Sequence, residues 1–173
     1  MDGLEPVIYW LDGSDRIVDL NEAWEAFARS NGGRGLEPDL VVGRPLRQFI
    51  SGDPTRMWLD AVLALARLKG EPVERTYRCD CPELKRFMKM RVVPEKGGVV
   101  RLEHHVLSTQ PRPAVHFVPC SQAVDGKPLV RCSICCRVQE DGCWKDPLPR
   151  PEGPYLVFYS VCPQCQEKVG RGL

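Results

Sequence analysis

The chain has 173 residues, nine cysteines, 43% apolar content and a formal net charge of +1, which suits one domain of roughly 100–150 residues and a smaller companion. No run of about 18 apolar residues is available to span a membrane, and the opening MDGLEPVIYW has neither the basic nor the apolar stretch of a secretory signal, so a cytoplasmic location is expected. Lys/Arg against Asp/Glu is 16 to 17 over residues 1–110 and 6 to 5 over 130–173, an even spread that disfavours a nucleic-acid or lipid-surface partner.

In chain order, Val7–Leu11 and Arg16–Leu20 are short β-rich runs around the turn formers Asp12-Gly13-Ser14-Asp15, the pattern of a hairpin. Asn21 offers a helix cap, and Ala23, Trp24, Phe27 and Ala28 recur at helical spacing up to Asn31-Gly32-Gly33. Asp53-Pro54 opens a second helix whose expected buried stripe is Trp58, Ala61, Val62, Leu65 and Leu68, ending at Gly70. Val73–Cys79, Leu84–Val93 and Val99–Leu107 read as an antiparallel meander. In it Met88, Met90, Val92, Val100, Leu102, His104 and Val106 share the apolar phase, while Lys89, Arg91, Arg101 and Glu103 face water. Trp10, Trp24 and Trp58 read as core or a dimer face. Composition shifts at Ser-Thr-Gln-Pro-Arg-Pro from residue 108, and 111–129 reads as a linker. The expected division is 1–110, 111–129 and 130–173.

The order of hairpin, short helices and three-stranded meander is that of a PAS domain, and residues 4–110 resemble that family as found in bacterial sensor kinases and related signalling proteins. The resemblance is carried by Tyr9-Trp10-Leu11-Asp12, by Ile17-Val18-Asp19-Leu20-Asn21-Glu22-Ala23-Trp24, by Tyr77-Arg78-Cys79, by Arg86-Phe87-Met88-Lys89-Met90-Arg91-Val92, and by His104 ahead of Leu107. It implies an α+β fold with a five-stranded antiparallel sheet packed on helices, and sensing or protein association rather than catalysis. His104, Met88, Met90 and Leu102 are the candidate lining of a ligand pocket. For His104, a core position bonded to the backbone is the alternative. Residues 21–31 and 43–69 hold no His or Cys, so a helix-borne heme ligand and a flavin-reactive cysteine are not expected, and the PAS ligand stays open. His105 and His116 read as surface residues.

Six of the nine cysteines lie beyond the linker. Cys132-Ser-Ile-Cys135 and Cys162-Pro-Gln-Cys165 are two C-x-x-C pairs 26 residues apart, and each turn can aim two sulfurs at one ion, completing a tetrahedron. A reducing compartment disfavours disulfides, and the intervening segment is too poor in core to fold alone. A structural Zn2+ on Cys132, Cys135, Cys162 and Cys165 is therefore expected, with iron the other metal that suits four thiolates. This part resembles a zinc-ribbon-like module that follows PAS or receiver domains in some bacterial signalling proteins. The match runs through Arg137-Val138 and Trp144, but Phe158-Tyr159-Ser160-Val161 stands where the module has Ser-His-Gly-Ile, and Cys136 stands where Lys is common. Cys136 thus competes with Cys135 as a ligand. Cys136, Cys79 and Cys81 are the candidate redox residues, with exposed turn positions the alternative for Cys79 and Cys81. Cys120 and Cys143 receive no role.

The chain carries no G-x-S-x-G, phosphate-binding glycine loop or HExxH, and four cysteines leave zinc no open position for catalysis. The expectation is a non-enzymatic signalling protein that binds a protein partner, with homodimerisation open. Two alternatives are a one-component transcription regulator whose zinc module contacts nucleic acid, and a thiol redox sensor that loses zinc on oxidation.

Overall fold

In the computed structural model the described residues are 5–30, 33, 35–122 and 127–170. They divide into two compact units, one of 1–50, 58–76 and 88–107, the other of 51–57, 77–87 and 108–173.

The first unit begins with β1 (Val7–Leu11) and β2 (Ile17–Leu20), paired antiparallel from Tyr9↔Leu20 to Leu11↔Ile17. The Asp12 carboxylate closes the turn by accepting from the amides of Ser14 at 2.8 Å and Arg16 at 3.0 Å, and Asp15 takes the left-handed conformation such a turn requires. Asn21 then has two tasks. Its Oδ1 accepts from the Trp24 amide at the start of α1 (Glu22–Ser30) and from the Ile8 amide, while Nδ2 donates to the Pro6 carbonyl. One side chain caps the helix and fixes its approach to β1.

After the short α2 (Pro38–Val41), α3 spans Asp53–Lys69. Its buried residues are Leu59, Val62, Leu63, Leu65 and Ala66, so the stripe lies one position C-terminal of the expected one. Ala61 is exposed and Leu68 is 86% exposed. The reason is helical phase: positions 59, 62, 63 and 66 follow i, i+3, i+4, i+7 without a gap, whereas a stripe begun at Trp58 drifts off the core by its last turn.

Strands β3 (Val73–Arg78), β4 (Leu84–Pro94) and β5 (Val100–Pro111) complete a five-stranded sheet in the order β2-β1-β5-β4-β3. This is the α+β architecture with a five-stranded antiparallel sheet that the PAS resemblance implies. The core includes Leu11, Ile17, Val62, Leu63, Met88, Val92, Val100 and Leu102. Glu103, expected on the solvent face, is 9% exposed: Arg101 at 3.0 Å, with Arg91 and His105 at 3.4 Å, closes over its carboxylate. Long cations folding over a short acid bury it without removing its partners.

The second unit is built on a mixed sheet in the order β6-β10-β7-β8-β9, from β6 (Phe117–Pro119), β7 (Leu129–Cys132), β8 (Val138–Glu140), β9 (Cys143–Lys145) and β10 (Tyr155–Ser160). β10 is parallel to β6 and β7, while β7, β8 and β9 are antiparallel. Residues 111–129, read from sequence as a connection, thus supply an edge strand and the buried Val115. The core is small: Val115, Val138, Tyr155 and Val157, flanked by Phe117, Leu129 and Tyr159. Helix α4 (Pro163–Gly170) follows the last strand.

Candidate metal centre

The sulfurs of Cys132, Cys135, Cys162 and Cys165 all lie within 4.8 Å of one another, and Cys135 Sγ is 3.8 Å from Cys162 Sγ. A tetrahedron with Zn–S bonds of about 2.3 Å has S···S edges of about 3.8 Å, so the cluster has the dimensions of a four-thiolate site.

Two turns produce it. Cys132 ends β7, and the chain reverses so that the Cys136 amide donates to the Cys132 carbonyl at 3.0 Å and the Cys132 amide donates to the Arg137 carbonyl at 2.8 Å. Ser133, inside this turn, is held by its hydroxyl's bond with Thr55 and by its amide to the Ser160 carbonyl. The other pair straddles the start of α4: the amides of Cys165 and Gln166 donate to the Cys162 carbonyl, and Pro163 takes the first helical position, where a missing N–H costs nothing. The amides of Ile134 and Cys162 also point at Cys132 Sγ at 3.4 Å, as donors that favour a thiolate.

Burial and charge agree with that donor set. Cys132, Cys162 and Cys165 are buried and Cys135 is partly so. Without a cation the sulfurs compete for protons. Hydrogen bonds from Cys135 and Cys165 hold Cys132 far below the usual thiol range, and the same bonds push Cys135 up to about 11 and Cys165 well above its ordinary value. Full deprotonation therefore needs a cation, and loading a dication expels protons.

Cys136 is not part of the cluster. Its buried sulfur turns away and donates to the Arg78 carbonyl at 3.3 Å, so Cys135 is the fourth sulfur. Cys79 and Cys81 flank Asp80 between β3 and β4, and burial pushes both the Cys79 and the Cys136 thiol up, above the range of reactive cysteines. The candidate pocket residues Met88, Met90 and Leu102 are packed in the first unit's core. His104 meets a side chain, its Nε2 being 3.2 Å from the Tyr9 hydroxyl, and the two rings stack at 5.4 Å. Burial lowers its pKa to about 4 and raises that of Tyr9, so both are neutral at pH 7.

One feature of the second unit escaped the sequence reading. The fully buried Asp80 carboxylate accepts from Arg78 at 2.5 Å and Arg112 at 3.2 Å, and Asp146 accepts from Arg78 at 2.6 Å and Lys85 at 2.8 Å. The Cys-Asp-Cys tripeptide draws notice to its thiols, whereas the carboxylate between them is the residue around which the cations gather.

No protein-family model matches the chain, and no curated protein matches it. Similar solved structures include a domain of an HTR-like protein from Haloarcula marismortui, with 18% identity and a TM-score of 0.44 over 60% of this chain and 98% of that one. Another is the PAS domain of BvgS from Bordetella pertussis, with 18% identity and a TM-score of 0.41 over 60% of this chain and 73% of that one. The PAS-type architecture of the first sheet rests on its strand order, β2-β1-β5-β4-β3, and not on these alignments.

Proposed function

We propose that the protein is a non-enzymatic signalling component of the cytoplasm, in which a PAS-type unit senses or associates and a structural Zn2+ on Cys132, Cys135, Cys162 and Cys165 holds a second unit in shape for a protein partner. The single observation behind the proposal is the closed set of four sulfurs within 4.8 Å. Four protein ligands fill a tetrahedral zinc and leave no position for water or substrate.

A partner-binding role is supported by a cross-strand row on the second sheet in which one glutamine stands among three apolar residues. Phe158 is 54% exposed and in register with Val130, which faces Gln139 and through it Trp144. Such a row on a sheet face suits protein contact better than phosphate, which calls for Lys and Arg. Among the described residues no helix is long and apolar enough to cross a membrane.

Native mass spectrometry of freshly purified protein, with nucleotide-turnover assays on the same sample, tests the reading. One zinc per chain and no turnover of ATP or GTP are expected. A folded chain that carries no metal, or measurable turnover, would overturn it.

A further inference from the structure

Buried cations in the second unit are unevenly matched. Arg78, Arg112 and Lys85 each meet a carboxylate, from Asp80 or Asp146. Arg131 does not. It is only 9% exposed, Nε is shut off from solvent with no acceptor, and the guanidinium makes no hydrogen bond or ion pair among the described residues. Its contacts are aromatic: Cζ lies 3.8 Å from the centre of the Phe117 ring and 6.0 Å from that of Tyr159.

The strand register explains how the charge came to be there. Arg131 on β7 is opposite Tyr159 on β10 and Val138 on β8, so its side chain rises on the face where Val138, Val157 and Tyr155 form the core. Attraction to the ring faces offsets only part of the cost of taking an ion out of water. The Cys79 thiol, in the fields of Arg86, Asp80 and Arg131, is held protonated by burial, and the Asp80 carboxylate is taken up by Arg78 and Arg112.

We propose that Arg131, walled by Phe117 and Tyr159, binds a small free oxyanion, a carboxylate or a phosphate, through N–H donors that no described residue accepts from. A guanidinium offers donors in a planar fork that matches two oxygens of such a group. The site is independent of the metal reading, since none of its three side chains belongs to the sulfur cluster.

The test uses the 15N-labelled, zinc-loaded full chain at constant ionic strength. It is titrated with sodium phosphate and, separately, sodium acetate, with sodium chloride as the ionic control. The Arg131 Nε–H signal and the backbone amides of Phe117 and Tyr159 are followed, along with zinc per chain. A saturable shift with phosphate or acetate is expected, and the midpoint of the amide shifts should weaken about tenfold or more in R131K, which keeps the charge and loses the fork. The proposal is overturned if neither oxyanion gives a saturable shift, if chloride reproduces it (an adventitious ion only), or if R131K binds like the wild type. The wild-type titration decides the matter alone should R131K not fold, and the zinc count separates failure of this site from failure of the clamp.

Discussion

Cys136 follows a cluster cysteine directly yet sends its sulfur elsewhere, and a single backbone angle accounts for this. Its φ is +58°, a left-handed conformation that costs a non-glycine residue roughly 1–2 kcal/mol. The turn tolerates it because it lets the Cys132 amide reach the Arg137 carbonyl, while the side chain is swung toward the Arg78 carbonyl. Sequence spacing alone left Cys135 and Cys136 as rivals, since both stand within reach of Cys132 along the chain and the backbone angle is not written in the residue types. C135S is expected to lose stoichiometric zinc and C136S to retain one zinc per chain, as measured by elemental analysis of the purified variants. Equal zinc in both, or loss from C136S alone, would refute the assignment.

Among the elements, those with strong local signals were legible from sequence. The β1–β2 hairpin follows from its Asx turn, α1 from the Asn21 cap, and the meander from period-two alternation. What local pattern could not supply was long-range pairing. Nothing in Phe117–Pro119 announces that it borders β10, whose partners lie far away in the chain, and the prolines Pro111 and Pro113 just before it read as a linker. Helix phase was the other gap, because α3 has enough apolar residues to support two neighbouring stripes. The corrected stripe has a measurable consequence. Leu63 is buried and Leu68 is 86% exposed, so L63A should destabilise by about 2–5 kcal/mol and L68A by less than about 0.5 kcal/mol in urea unfolding. Comparable losses for the two would place the stripe back where the sequence alone put it.

For the molecule as a whole, His104 makes stability depend on pH. Burial, with a smaller contribution from neighbouring His105, lowers its pKa from 6.5 to about 4. Between those values the unfolded chain binds a proton that the folded one does not, so stability rises with pH across the window. The contribution is fully present above about pH 6.5 and lost as pH falls toward 4, and amounts to roughly 2–3 kcal/mol. Urea unfolding at pH 7.5 and 4.5 should show H104Q less sensitive to acid than the wild type by about that amount, and parallel pH dependences would rule the mechanism out. The position of β10 carries a consequence for how the protein is made. It lies between β6 and β7, parallel to both, yet leaves the ribosome after them. At about 5–20 residues per second, β6 and β7 wait a few seconds with unpaired edges, and Cys132 and Cys135 wait as long for Cys162 and Cys165. During that interval the nascent chain is open to aggregation through its unpaired strand edges.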